Sequence, residues 1–175
     1  TEDNVIRPSV HADESSGALI HTIPFSIPPG RNGLQPEVAL QYNNQRNNND
    51  NIAGYGWDIP IPYIERVNKT GTNNLYTENN FSSSFEGELS FIQTVGTTSD
   101  YGPRVTTADS KQYVFSHQHN VWRATDKDGT VYTFGTTTAS RQDNPSNSYQ
   151  IYKWMLNEVR DTNGNYITYT YTKNS

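Results

Sequence analysis

The sequence has no cysteine and a single methionine. Without thiols, a disulfide framework, thiolate metal sites and cysteine-nucleophile chemistry are excluded. Charge is also scarce: 18% of residues are charged, against roughly 25% in an average soluble domain. Asp and Glu (18) outnumber Lys and Arg (13), for a net charge of −5. That balance excludes a basic surface built for phosphate backbones, so no nucleic-acid partner is expected. No apolar run approaches the roughly 18 residues of a membrane helix, and Thr1 opens no signal-peptide pattern. No stretch carries a helical period.

The sequence is rich in Asn (20), Thr (20) and Tyr (12) among its 175 residues. Thr and Tyr favour pleated strands and Asn favours turns. The expected fold class is all-β, built from antiparallel sheets of short strands and hairpins. It is either sandwich-like or an open fragment of a β-shell. The length suits one domain of ordinary size, or one large module of something longer.

Period-two patterning marks the strands. Leu19, Ile23, Phe25 and Ile27 share one face with His21, and Pro28-Pro29-Gly30 ends that strand. Val38, Leu40 and Tyr42 alternate in a second strand. Trp57, Ile59, Ile61 and Tyr63 would line a third, whose Pro60 and Pro62 both lack an N–H on the same side and so predict an edge strand or one covered by a loop. Residues 68–84 read as a polar loop, followed by strands at Leu89–Val95, Gln112–Phe115, Val131–Phe134, Tyr149–Val159 and Tyr166–Tyr171. The last reads as a strand awaiting its partner.

Two segments are alike: Thr125–Phe134 and Arg160–Tyr169. Each runs Asp-x-(Asp/Asn)-Gly into alternating strand residues, and the two lie 35 residues apart. Asp-Gly and Asn-Gly suit type I′ hairpin turns, so the pair predicts a repeated hairpin.

From residue 16 the pattern becomes specific. Ser16-Gly17-Ala18, Ile27-Pro28-Pro29-Gly30-Arg31-Asn32-Gly33-Leu34-Gln35-Pro36, Val38-Ala39-Leu40-Gln41-Tyr42-Asn43, Gly54-Tyr55-Gly56-Trp57 and Ile64-Glu65-Arg66 follow in one order. This resembles the N-terminal domain shared by the Salmonella plasmid virulence protein SpvB and the B component of insecticidal toxin complexes (TcB). Tyr132-Thr133-Phe134-Gly135 and Trp154–Asn165 are similar to the continuation into Rhs/YD-repeat sequence. Where the family has a Ser/Gly-rich link before Gly-x-Gly-Trp, this chain has the Asn-rich run Asn43–Asn51.

The resemblance implies a structural motif at Gly30, Arg31, Asn32, Gly33, Pro36, Tyr42, Gly54, Gly56, Trp57 and Arg66. It divides the chain into an extension (1–15), a first β module (16–100) and a hairpin segment (101–175), read together as one continuous domain. It also implies a secreted or surface-exposed bacterial virulence protein. Its partners would be other parts of a longer toxin-complex chain or neighbouring copies.

Candidate chemistry is sparse. Glu86-Gly87-Glu88 after three serines echoes the Glu-x-Glu of ADP-ribosyltransferases, but those serines adjoin the acids and cannot form the separate strand such enzymes need. His117-Gln118-His119 could offer half of a metal site. Asp126-x-Asp128 and Asp161-x-Asn163-x-Asn165 resemble calcium-loop fragments without the closing bidentate Glu. His21 reads as a core histidine and Trp57 as a core anchor. Trp122 and Trp154 read as core residues or sugar-stacking platforms. No catalytic residue, metal ligand or cofactor is assigned. The expected function is a non-enzymatic structural module contributing strands to a β-shell. The alternatives are a surface adhesin or carbohydrate-binding module, with a glycan as ligand, and a self-assembling filament subunit pairing through open edges.

Overall fold

A computed structural model describes residues 8–14, 16–25, 30–36, 38–45 and 56–173. The chain forms two compact units, residues 1–60 and 61–175. Among the described residues, regular structure is antiparallel strand throughout, apart from three single 3-10 turns.

The first unit is a four-stranded sheet in sequential order: β1 (Ser9–Ala12), β2 (Leu19–Pro24), β3 (Ala39–Asn43) and β4 (Trp57–Asp58). β1 lies where the sequence carries no strand signal. In this unit Ala18 is the only fully buried apolar side chain among the described residues. Leu19 and Phe25, expected on a buried face, are 44% and 48% exposed. Phe25 lies just past the strand, and Ile27 lies outside the described residues.

The second unit holds the core. β5 (Tyr63–Arg66), β6 (Phe81–Ser83), β7 (Gly87–Val95), β8 (Thr98–Pro103), β9 (Gln112–Ser116), β10 (Val121–Thr125) and β11 (Val131–Phe134) each pair with the next in sequence. β12 (Arg141–Asn144) forms a hairpin with the 14-residue β13 (Asn147–Arg160), and β14 (Tyr166–Thr168) follows. β13 pairs with β5 through Lys153–Met155 on one edge and with β11 through Leu156–Arg160 on the other. That double pairing closes β5–β11 and β13 into an eight-stranded barrel. Closure leaves these eight strands without an open edge, while β12 and β14, each paired only with β13 among the described strands, keep an outer one. The strand ending the chain has its partner, since β14 pairs with Glu158–Arg160 of β13.

An eight-stranded barrel is just wide enough for side chains to fill it. Here the filling is aromatic: Phe81, Tyr101, Tyr113, Phe115, Trp122, Phe134 and Trp154 are all buried, with Ile64 and Leu156 beside them. Trp122 is central, its ring 4.9 Å from those of Phe81 and Phe115 and 5.2 Å from that of Tyr101. The alternation that sends these residues inward breaks on β13 both where it pairs with β12, between Ile151 and Lys153, and where it pairs with β11. Phe134 pairs with Leu156 and Thr133 with Glu158, leaving Asn157 as a bulge. The bulge turns Asn157 onto the following connection, where its side chain accepts hydrogen bonds from Thr136 N and Ser140 Oγ.

Two further expectations change. The strand expected through Ile59–Ile64 is interrupted: β4 ends at Asp58 and β5 begins at Tyr63. Pro60 and Pro62 cannot donate to a ladder and fall in the gap, where Pro62 O accepts from Leu156 N. The polar stretch 68–84 contains β6, whose Phe81 is 1% exposed.

Candidate functional site

Three motif residues of the first unit, Tyr42, Gly56 and Trp57, meet although Tyr42 is apart from the other two in sequence. Tyr42 on β3 pairs directly with Trp57 on β4. Their rings are 5.2 Å apart, and His21 meets Trp57 edge-on at 6.0 Å. Asn43 N donates to Gly56 O at 2.8 Å. A Cβ at Gly56 would stand 2.6 Å from the Tyr42 ring. This explains the Tyr-Asn and Gly-Trp spacing: the glycine lets the backbone pass the tyrosine face. His21 Nδ1 is buried without a hydrogen-bond partner among the described residues.

Gly30 opens a 3-10 turn over Arg31–Gly33, with Pro36 just beyond it. A Cβ at Gly30 would fall 1.6 Å from Leu34 O, so only glycine fits there. Arg31 is exposed, and Asn32 is placed here by its backbone. Gly54 lies outside the described residues.

Arg66, the last motif residue, sits in the second unit. From β5 its Nε donates to Ile151 O at 2.9 Å and its Nη1 to Glu78 O at 3.1 Å. The guanidinium lies 5.0 Å from the Phe81 ring centroid and 5.8 Å from that of Trp154. No carboxylate pairs with it among the described residues, and burial lowers its pKa. Two carbonyls and two aromatic faces replace its water, so the arginine ties β5, the 74–80 connection and β13 together.

The chemically suggestive residues take up structural positions. Glu86 accepts from Lys111 N at 3.2 Å and from Tyr113 Oη at 2.5 Å. Glu88 pairs with Lys69 and Arg104. His117 Nε2 is hydrogen-bonded to Ser99 Oγ at 2.7 Å, while His119 contributes its carbonyl to Arg141. No group of three metal-ligating side chains exists among the described residues. Trp122 and Trp154 are 0% and 1% exposed and offer no face to a sugar. Trp154 Nε1 instead donates to Asn120 O. The indole N–H of Trp122 has no acceptor among the described residues.

The two similar segments build the same turn. Asp126 N donates to Thr130 O and Gly129 N to Asp126 O; Asp161 N donates to Asn165 O and Gly164 N to Asp161 O. Asp126 Oδ1 accepts from Asp128 N and Thr130 N, and Asp161 Oδ1 from Asn163 N and Asn165 N. Gly129 and Gly164 both have φ +84, whereas Asp128 and Asn163 keep negative φ. This is the three-residue loop with a glycine bulge, not the expected type I′ turn. The aspartate side chain holds the two amides that follow, which fixes the larger loop. The turns also adjoin each other, since a Cβ at Gly129 would lie 2.8 Å from Thr162 Cγ2. The strands they launch, β11 and β14, flank β13 on opposite edges, with Val131 and Tyr166 both paired to Arg160.

Comparison with known sequences decides the family. The profile of SpvB, the Salmonella virulence plasmid 65kDa B protein, matches residues 13–175. The chain belongs to the SpvB family. Among curated proteins, none matches it.

The SpvB-like fold extends to solved structures. The N-terminal domain of effector protein SpvB from Salmonella typhimurium strain LT2 is 21% identical, with a TM-score of 0.69, over 87% of this chain and 55% of that one. TcdB2-TccC3 is 21% identical, with a TM-score of 0.74, over 93% of this chain and 8% of that one. The Photorhabdus luminescens Tc holotoxin pore gives 22% identity and a TM-score of 0.74 over the same shares. The chain therefore spans about half of the SpvB domain structure and under a tenth of the toxin-complex chains. No helix among its described residues is long and apolar enough to cross a membrane.

Proposed function

We propose that this chain is a non-enzymatic structural module of a secreted bacterial toxin-complex-like protein, adding strands to a β-shell or assembly. The observation that carries this reading is the repeated Asp-x-x-Gly hairpin, one copy within the closed barrel and the other adding β14 beside it. Its two copies use the same hydrogen bonds and add one strand to each edge of β13. Such a unit extends a sheet by repetition. The filled aromatic interior agrees, because buried side chains occupy the space a ligand would need. In this reading the partners are other parts of a longer chain, and the presence of the same fold as a small share of much longer chains supports it.

Light scattering coupled to size exclusion, run beside a glycan array, tests the proposal. The expected result is a monomer near 19.8 kDa that binds no glycan. Filamentous species would replace the reading with self-assembly through sheet edges. Glycan binding, lost when exposed Tyr149 or Tyr166 is changed to Ala, would replace it with an adhesin.

A further inference from the structure

We infer that Asn163–Gly164 is a site of spontaneous covalent modification, where the asparagine deamidates at the tip of the β13–β14 hairpin. Asn163 and Gly164 are both exposed, so water and hydroxide reach them. No hydrogen bond holds the Asn163 side-chain amide among the described residues, unlike that of Asn165, whose Nδ2 donates to Asp161 Oδ2. A Cβ at Gly164 would meet nothing within 4 Å, so no neighbouring atom crowds the glycine on that side.

The chemistry needs only water. Gly164 N, on losing its proton, attacks Asn163 Cγ; the new C–N bond closes a succinimide, and the Cγ–Nδ2 bond breaks with release of ammonia. Water then opens the ring at either carbonyl, giving aspartate or isoaspartate. Asp161 is the brake on the first step, because its carbonyl accepts from Gly164 N at 3.2 Å and its Oδ1 from Asn163 N at 2.9 Å.

The two products have different consequences. Aspartate at 163 makes the loop Asp-x-Asp-Gly, which the chain already builds at 126–129. Isoaspartate adds a methylene to the main chain between Asp161 and Asn165, whose reciprocal bonds close the turn. That lengthening releases β14 from β13. The barrel stays closed, because β11 and β5 hold β13 independently.

The test is to incubate the full chain at mildly alkaline pH and map its peptides by mass spectrometry. Asn163 should gain the mass of an amide-to-acid exchange ahead of Asn157 and Asn165, and Asp161→Ala should speed it severalfold. Amide exchange should rise at Tyr166–Thr168 in the isoaspartate fraction alone. Asn163 unchanged while the Asn32–Gly33 peptide of the same sample converts would overturn the proposal. An equal rate in Asp161→Ala and in the milder Asp161→Asn would overturn the role given to Asp161.

Discussion

Gly135 lies so close to Trp154 that a Cβ in its place would stand 2.2 Å from the indole Cδ1, 3.0 Å from Cγ and 3.1 Å from Cβ. Its φ is +71, and its N–H donates to Met155 O while its carbonyl accepts from Arg141 Nε. The chain leaves β11 at this point, and the contact fixes a large ring of the barrel interior, packed against Phe81, Phe115 and Trp122.

Gly135→Ala therefore combines a clash with left-handed backbone strain. We expect a loss of about 2–4 kcal/mol, read as a lower urea midpoint at unchanged slope. An unchanged midpoint would mean that Trp154 can swing aside without cost.

Arg66→Lys keeps the charge but loses the planar fork and the stacking on Phe81 and Trp154. A loss of about 1–3 kcal/mol is expected, because Ile151 O or Glu78 O loses its donor. Equilibrium unfolding followed by tryptophan fluorescence would measure it, and wild-type stability would show that a point charge suffices.

The twin turns should respond differently to the same change. Asp126→Ala loosens the β10–β11 hairpin inside the closed barrel and should lower global stability by about 1 kcal/mol. Asp161→Ala should raise amide exchange at β14 while the barrel amides stay protected. Equal exchange profiles in the two variants would contradict the separate roles of β11 and β14.

Two pH effects follow from the hydrogen bonding. Burial, with the bond to Glu86, raises the Tyr113 phenol well above its ordinary value, and burial raises that of Tyr171. Folding thus favours the protonated phenols; the stability is fully present below the ordinary value near 10 and is lost as pH rises beyond it. Ultraviolet titration should show these two tyrosines ionising last, together with unfolding. Conversely, bonds from the Asn165 side chain and neighbouring amides hold the Asp161 carboxyl below its usual range. Its contribution is present above the ordinary value near 4 and fades as pH falls through the lowered one. Amide exchange at β14 should therefore quicken in acid before the barrel opens.

Period two was enough to find β2, β3, β7, β9, β11 and β14, and β13 was legible as an aromatic-rich run although Trp154-Met155-Leu156 breaks its alternation. β6, β8, β10 and β12 were not legible. Phe81-Ser82-Ser83 and Thr98–Pro103 have too few apolar residues to signal a strand, and their inward positions include Ser83 and Ser99. The motif residues were legible as a pattern, yet the sequence does not disclose that Arg66 works by stacking on Phe81 and Trp154.

The sequence by itself determined the all-β class, the two like hairpins and the aromatic composition of a core, since these rest on local alternation and turn chemistry. Only the tertiary structure decided that the sheet closes. Closure depends on β13 pairing with β5, ninety positions earlier (Ile64 with Trp154), and with β11 across a bulge at Asn157. Register between distant strands is set by how their side chains pack inside a common interior, and no local period encodes that.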